Sequence, residues 1–362
     1  MNSILFVEGK LSSGKYTYAG KEKMIQWLGN QLANDSFDVT FCTIYDKTKP
    51  LKTNERIKSI SLNLPYYKSF FRRNITFFLQ VPLLLKRILQ KHHYNYIVSF
   101  GDTSYFILAL LKRRFKYKLI VSERGDPYYN RGIQDKLRRK FFQFADTVVF
   151  QTKGAQSFFS ETIQKKGIII PNPIKIPSAQ WKIDNTTISL ANVGRIDLWQ
   201  KRQDLLVESF ALVCGKYPDA ILNIYGSGED KDRLINIIHR LRLENNIFLH
   251  GAIKEINSAL LTNRIFVLSS DFEGIPNALL EAMALGMPVI STNCSPGGAA
   301  LLIQNNYNGV LVPQNDVTKL ATAICELIEK PDLCSIYGKN ARISMSKFSE
   351  DIIYNMWKQI FI

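Results

Sequence analysis

Short apolar, β-rich runs recur down this chain, each parted from the next by a stretch with helical spacing. In the first half they fall at residues 4–7, 39–44, 96–100, 118–122 and 147–151, and in the second at 188–193, 220–225, 247–249, 265–268, 289–291 and 309–311. Such alternation predicts doubly wound α/β sheets, because strands joined through helical crossovers pair in parallel. Between the two sets lies PNPIKIPSAQWKIDN, which opens on Pro171 and Pro173 and has no regular period. It reads as a boundary. A chain of 362 residues is long enough for two domains, each with its own core. The expected division is 1–173 for a first domain, 174–187 for a linker, 188–345 for a second domain and 346–362 for a terminal helix with apolar spacing.

The formal charge of +16 is unevenly spread: residues 1–178 hold 30 Lys and Arg against 12 Asp and Glu, and residues 179–362 hold 17 against 19. A field of that sign favours an anionic partner, either nucleic acid or an anionic membrane surface. No nucleic-acid-binding module accompanies the charge, so a nucleic-acid partner is not expected. The cations of the first half are interleaved with aromatic and aliphatic residues, as in YYKSFFRRNITFFLQVPLLLKRILQKHHYNY from Tyr66 to Tyr96 and KLRRKFFQF from Lys136 to Phe144. That texture suits an amphipathic surface seated at a membrane interface, and equally a helix pair with a solvated basic face over a core. No apolar run approaches the ~18 residues that span a bilayer. The opening MNSILFVEGK lacks the basic region and long apolar stretch of a signal peptide, so it is expected to be a first strand. Cys42, Cys214, Cys294, Cys325 and Cys334 form no C-x-x-C pair and are odd in number, which points to reduced thiols in the cytoplasm.

The chemistry concentrates in FVLSSDFEGIPNALLEAMALGMPVIS, residues 266–291, where Glu273 and Glu281 stand eight apart across a strand, a loop and a helix. Gly274, Ile275 and Pro276 break the strand, and the helix from Asn277 is stopped by Gly286 and Pro288. In an open parallel sheet, ligands bind beyond the carboxyl ends of strands, where the next helix offers unpaired N–H groups and a positive dipole end. The N–H groups of Asn277, Ala278 and Leu279 are expected to face a phosphate there. Glu281, one turn on, is placed to accept from the two vicinal hydroxyls of a ribose, and Glu273 stays in the loop above. The helix dipole alone also favours acids at such positions.

Another strand ends in Gly194 and Arg195, with Lys201 six residues later. Cations at this rim would stabilise a leaving diphosphate as its charge builds, although solvated cations are common at strand ends. Gly226 and Gly228 follow a strand and precede a helix, where glycine allows close backbone approach to a ligand or simply a tight turn. Asp230 and Asp232 mimic a metal-binding D-x-D pair, but acids at a helix start serve the dipole. No metal or other cofactor is expected. The string from Gly9 to Tyr16 fits G-x-x-x-x-G-K, yet Tyr16 stands where a P-loop needs Ser or Thr for Mg²⁺. A P-loop-like phosphotransferase is therefore the second reading, and a non-catalytic membrane scaffold the third.

The run around Glu273 and Glu281 resembles the E-x7-E signature of retaining glycosyltransferases of family 4, and matches nearly every position of fEGfPnallEAMAlGkPVI. The resemblance is strong from about residue 188 to 357 and weak before 168. It implies the GT-B fold, two Rossmann-like domains facing a central cleft, with the terminal helix crossing back onto the first. It further implies diphosphate binding by Gly194, Arg195 and Lys201, a nucleotide bordered by Gly226, a base near Ile253, and donor contacts from Gly274, Ile275 and Pro276. Glu273, Arg195 and Lys201 would be the catalytic groups. Some bacterial polysaccharide members carry an E-R-x-D-P string, which makes Glu123, Arg124 and Asp126 acceptor-side candidates together with Gly14 and Gly20 of the first glycine-rich loop. The histidine that many members place near this loop is missing: His92, His93, His239 and His250 lie in other contexts. The expected activity is transfer of a hexose or N-acetylhexosamine from a nucleotide-sugar, a UDP-sugar first, to a lipid-linked or glycan acceptor in bacterial polysaccharide (capsule, O-antigen or exopolysaccharide) biosynthesis, at the inner face of the plasma membrane.

Overall fold

A computed structural model describes residues 2–9, 20–45, 54–67, 69–100, 104–129, 140–183 and 186–362. They form two compact units, one of Met1–Ile170 with Ile353–Ile362 and one of Pro171–Ile352.

The first unit is a parallel sheet of β1 (Ser3–Glu8), β2 (Asp38–Thr43), β3 (Lys58–Ser61), β4 (Tyr96–Ser99), β5 (Lys118–Ser122), β6 (Thr147–Phe150) and β7 (Gly167–Ile169), in the order β3-β2-β1-β4-β5-β6-β7. The interior strands are almost wholly buried, which is why they read as unbroken apolar runs. The two edge strands escaped the sequence reading. Lys58, Ser59 and Ser61 of β3 are exposed and only Ile60 is partly covered, while β7 is three residues long. An edge strand needs one covered face at most, so its apolar signal fades.

Helices cover both faces of this sheet. Ile353, Trp357 and Phe361 from the end of the chain are buried with Ile4, Phe6, Tyr96 and Val98. Asp35, just past the helix Gly20–Asn34, anchors that tail: its carboxylate pairs with Lys358 Nζ at 2.7 Å and accepts from the Tyr354 hydroxyl at 2.7 Å. Lys358 first and Tyr354 second hold the Asp35 carboxyl below its ordinary range. A carboxylate with a lowered native value stabilises the fold above its unfolded value and stops doing so as the pH falls through the native one. Hydrogen-exchange protection of residues 353–362 is therefore expected to drop as the pH falls below about 4, and Asp35→Asn to flatten that dependence.

The second unit repeats the plan with β8 (Ser189–Val193), β9 (Ile221–Tyr225), β10 (Ile247–Gly251), β11 (Ile265–Leu268), β12 (Val289–Thr292) and β13 (Val310–Val312), all parallel, in the order β10-β9-β8-β11-β12-β13. Residues expected as a linker pack on this unit. Trp181 is buried in its core, donating Nε1–H to the Asn263 carbonyl at 2.8 Å, and Ile174 bridges Ser349. The strand order reverses between β8 and β11, the place in an open parallel sheet where ligands ordinarily bind.

Candidate active site

Both loops at that reversal carry the charged residues singled out above. After β8 the chain runs from Gly194 to Arg202 before the helix Gln203–Lys216, and nearly every turn of it is tied down. Gly194 N–H donates to the Tyr225 carbonyl at 3.0 Å and Ile196 N–H to that of Ser227 at 3.1 Å. The buried Gln203 side chain donates to the Arg195 carbonyl at 2.9 Å and accepts from Asp197 N–H at 3.2 Å. Asp230 accepts from Leu198 N–H at 2.9 Å and from Arg233 at 2.7 Å, bonds that hold its carboxyl below the ordinary range. The D-x-D look-alike thus spends its first acid on bracing this loop.

After β11 come Ser269, Ser270, Asp271, Phe272 and Glu273. Glu273 is 7% exposed, and its Oε1 is paired with Lys201 Nζ and accepts from Ser270 Oγ at 2.9 Å. Its N–H is held by the Ser295 carbonyl at 2.8 Å. Ser269 Oγ donates to the Lys201 carbonyl at 2.8 Å, Asp271 N–H to that of Gln200 at 2.9 Å, and Arg202 Nη1 reaches Asp271 Oδ2 at 2.9 Å. The two loops are one stitched surface. Arg195 lies at its open rim, bonded to Asp197 at 2.7 Å and Gln200 at 3.2 Å.

The helix Asn277–Leu285 follows. Six of its residues, Leu279, Leu280, Ala282, Met283, Ala284 and Leu285, are buried, which leaves one half-buried stripe of Asn277, Ala278 and Glu281. The N–H groups of Asn277 and Ala278 make no hydrogen bond among the described residues, whereas Leu279 N–H donates to the Pro276 carbonyl at 3.1 Å. This corrects the expectation for Leu279: the first turn is tight, so its amide is used internally and its side chain belongs to the core. Ile275 and Pro276 are likewise buried. Asn277 Oδ1 accepts from Asn172 Nδ2 at 2.7 Å.

At Gly226, Gly228 and Gly298 the space of a side chain is taken up by neighbouring backbone. A Cβ on Gly226 would lie 1.8 Å from the Gly194 carbonyl oxygen, one on Gly228 1.9 Å from that of Ile196, and one on Gly298 2.0 Å from that of Gly274. They let one site loop lie against the next. Ile253, expected near a base, is half-buried against the core.

On the first unit, the E-R-x-D-P candidates have structural partners. Arg124 sits over Phe100 at 5.2 Å and Trp357 at 5.4 Å and donates to the Ile170 carbonyl at 3.4 Å, and burial draws its guanidinium down to about 9. Buried Glu123 accepts from Gly125 N–H at 3.1 Å and buried Asp126 from Tyr128 N–H at 2.8 Å, the second closing an Asx turn. Gly20 is the exposed first residue of its helix, and Gly14 and the P-loop look-alike lie outside the described residues apart from Gly9.

Sequence reasoning missed three features. Ser269 and Ser270 brace the Lys201–Glu273 pair, yet serine after a strand is too common to signal it. Trp199, 62% exposed and edge-on to Phe272 at 4.6 Å, is a large ring displayed between the two cations of its loop. In the first unit, the buried Glu8 ties the end of β1 to the Phe100 N–H at 2.5 Å and to Lys21 at 3.1 Å.

A family description, Glycosyl transferases group 1, matches residues 174–344. An uncharacterized glycosyltransferase of Haemophilus influenzae is 26% identical over 349 residues, 94% of this chain and 96% of that protein. The UDP-Gal:alpha-D-GlcNAc-diphosphoundecaprenol alpha-1,3-galactosyltransferase of Escherichia coli is 30% identical over 154 residues, 41% of this chain and 38% of that enzyme. Several curated relatives, this enzyme among them, are thus matched along well under two thirds of their length. Among solved structures, sucrose-phosphate synthase from Thermosynechococcus elongatus superposes with a TM-score of 0.84 at 18% identity, over 100% of this chain and 98% of that one. The likeness shows the fold, two Rossmann-like domains of GT-B type.

Proposed function

We propose that this chain, a glycosyltransferase, is a retaining, metal-independent enzyme of family 4. It moves a hexose or N-acetylhexosamine from a nucleoside diphosphate-sugar, with UDP-sugars the first to test, to a lipid-linked or glycan acceptor in bacterial surface-polysaccharide assembly. The observation that carries this reading is the Lys201–Glu273 pair, followed in the chain by the half-buried Asn277-Ala278-Glu281 stripe, at the reversal of the sheet.

One Lys201 N–H meets Glu273, and its remaining donors serve the diphosphate together with Arg195. The unpaired amides of Asn277 and Ala278 take a phosphate at the helix N-terminus. Glu281 binds the ribose diol and Glu273 orients the sugar hydroxyls. The acceptor hydroxyl oxygen adds to the anomeric carbon on the face from which the diphosphate departs. That carbon's bond to the diphosphate oxygen breaks, and the acceptor proton passes to the departing oxygen. Arg195 and Lys201 stabilise the charge that accumulates there, in place of a metal ion. Trp199 offers an apolar ring face to the sugar.

A nucleotide-sugar screen by thermal unfolding tests the reading. The cognate donor at about 100 times its Kd adds about 2.7 kcal/mol of stability by mass action. Product NMR with that donor is expected to show the anomeric configuration preserved, with turnover unchanged in a chelator. If no nucleotide-sugar raises the melting temperature, the reading fails; an inverted product or chelator-sensitive turnover removes the retaining or the metal-independent part.

A further inference from the structure

The helix Phe70–Lys91 turns Phe77, Val81, Leu85 and Leu89, four residues apart in succession, into the core of the first unit. Its opposite face is apolar too. Ile75, Leu79 and Leu83 stand on it about one turn apart at 43%, 65% and 60% exposure, with Phe78 at 51% beside them. A surface helix ordinarily gives that face to polar side chains, and a contiguous apolar line in water marks a contact surface. Exposed Arg72 precedes Ile75 by one turn, half-exposed Lys86 and exposed Arg87 follow Leu83 by one turn, and Lys91 lies beyond. From Tyr66 to Tyr96 the chain holds six Lys and Arg and no Asp or Glu.

We propose that this stripe seats the protein on an anionic lipid bilayer, with Ile75, Leu79 and Leu83 entering the acyl boundary and Arg72, Lys86 and Arg87 meeting headgroup phosphates. The order of residues fits that occupant. Long cationic side chains one turn from an apolar line reach up to the headgroup level while the aliphatic residues sink below it. A second copy of this chain fits poorly, because a two-fold contact of the face with itself brings like charges together with no acid to separate them. The inference rests on the helix alone and is independent of the donor chemistry proposed above.

The full-length protein is centrifuged with sucrose-loaded vesicles of phosphatidylcholine, with and without a minor fraction of phosphatidylglycerol. It is expected to sediment with the anionic vesicles only, and to be released as added salt screens the charges. Leu79→Gln with Leu83→Gln is expected to lower partitioning about ten-fold or more. The unfolding midpoint should not move, since both side chains lie outside the core. Lys86→Gln with Arg87→Gln is expected to lower it about five-fold per charge removed at low salt. Unchanged sedimentation of the leucine variant, or binding indifferent to lipid charge, overturns the proposal. So does a wild-type dimer in light scattering that the leucine variant turns into a monomer, which assigns the stripe to a second copy.

Discussion

Lys201→Ala is expected to lower kcat by about 10²- to 10³-fold, the loss typical when one preorganised charge-stabilising group is taken from a transition state. The same substitution should also destabilise the protein. Glu273 is 7% exposed and its partner's side chain 19%, so removing the ammonium strands a carboxylate that, among the described residues, only Ser270 Oγ still bonds. Breaking a buried pair from one side costs about 3–5 kcal/mol, and the partial exposure of Lys201 points to the lower end. The two effects separate in a double variant. Lys201→Met with Glu273→Gln removes the stranded charge and keeps an acceptor for Ser270, so the urea midpoint should recover most of its loss. Turnover should not recover, because neither the diphosphate cation nor the sugar-orienting carboxylate is restored. If the double variant regains activity along with stability, Lys201 is a brace for the loop and takes no part in transfer.

That pair also marks how far the sequence reaches. Interior strands of both sheets were legible because burial on two faces makes them continuous apolar runs, whereas Lys58–Ser61 and Gly167–Ile169 were not, since an edge needs little apolar content. Glu273 and Lys201 were each legible as chemistry at a strand end. Their pairing was not, because it joins residues 72 apart in sequence through the β8/β11 reversal. Arg124 is the opposite case. A charged residue after a strand reads as a ligand group, yet only the fold brings the stacked rings of Phe100 and Trp357 beside its guanidinium. The half-buried stripe of the helix Asn277–Leu285 sits between these cases: helical spacing puts Asn277 and Glu281 on one face, but which amides stay unpaired depends on how tightly the first turn closes.

Gly226→Ala should be among the most damaging single methyl additions in the second unit. The residue has φ +150°, which an L side chain adopts only under strain, and the new Cβ would lie 1.8 Å from the Gly194 carbonyl oxygen and 2.8 Å from its carbon. The obstacle is backbone, so no rotamer change relieves it. Strain of about 1–3 kcal/mol for the dihedral and a comparable overpacking cost set the expected loss of stability at about 3 kcal/mol or more. Gly215→Ala is the matched control. It lies in the helix Gln203–Lys216 with open space where the Cβ would be, so it should stabilise by about 0.5–1 kcal/mol through helix propensity alone. Activity distinguishes a packing fault from a site fault. Relief of the collision must push Gly194 away, and Gly194 is bonded directly to Arg195 at the rim where the diphosphate is proposed to sit. A displacement near 1 Å in such a group costs about 10²-fold in rate, so Gly226→Ala assayed well below its melting temperature should still turn over slowly. Wild-type turnover in that folded variant would mean that the Gly194–Arg195 turn can shift without consequence, and the role given to Arg195 in charge stabilisation would go with it.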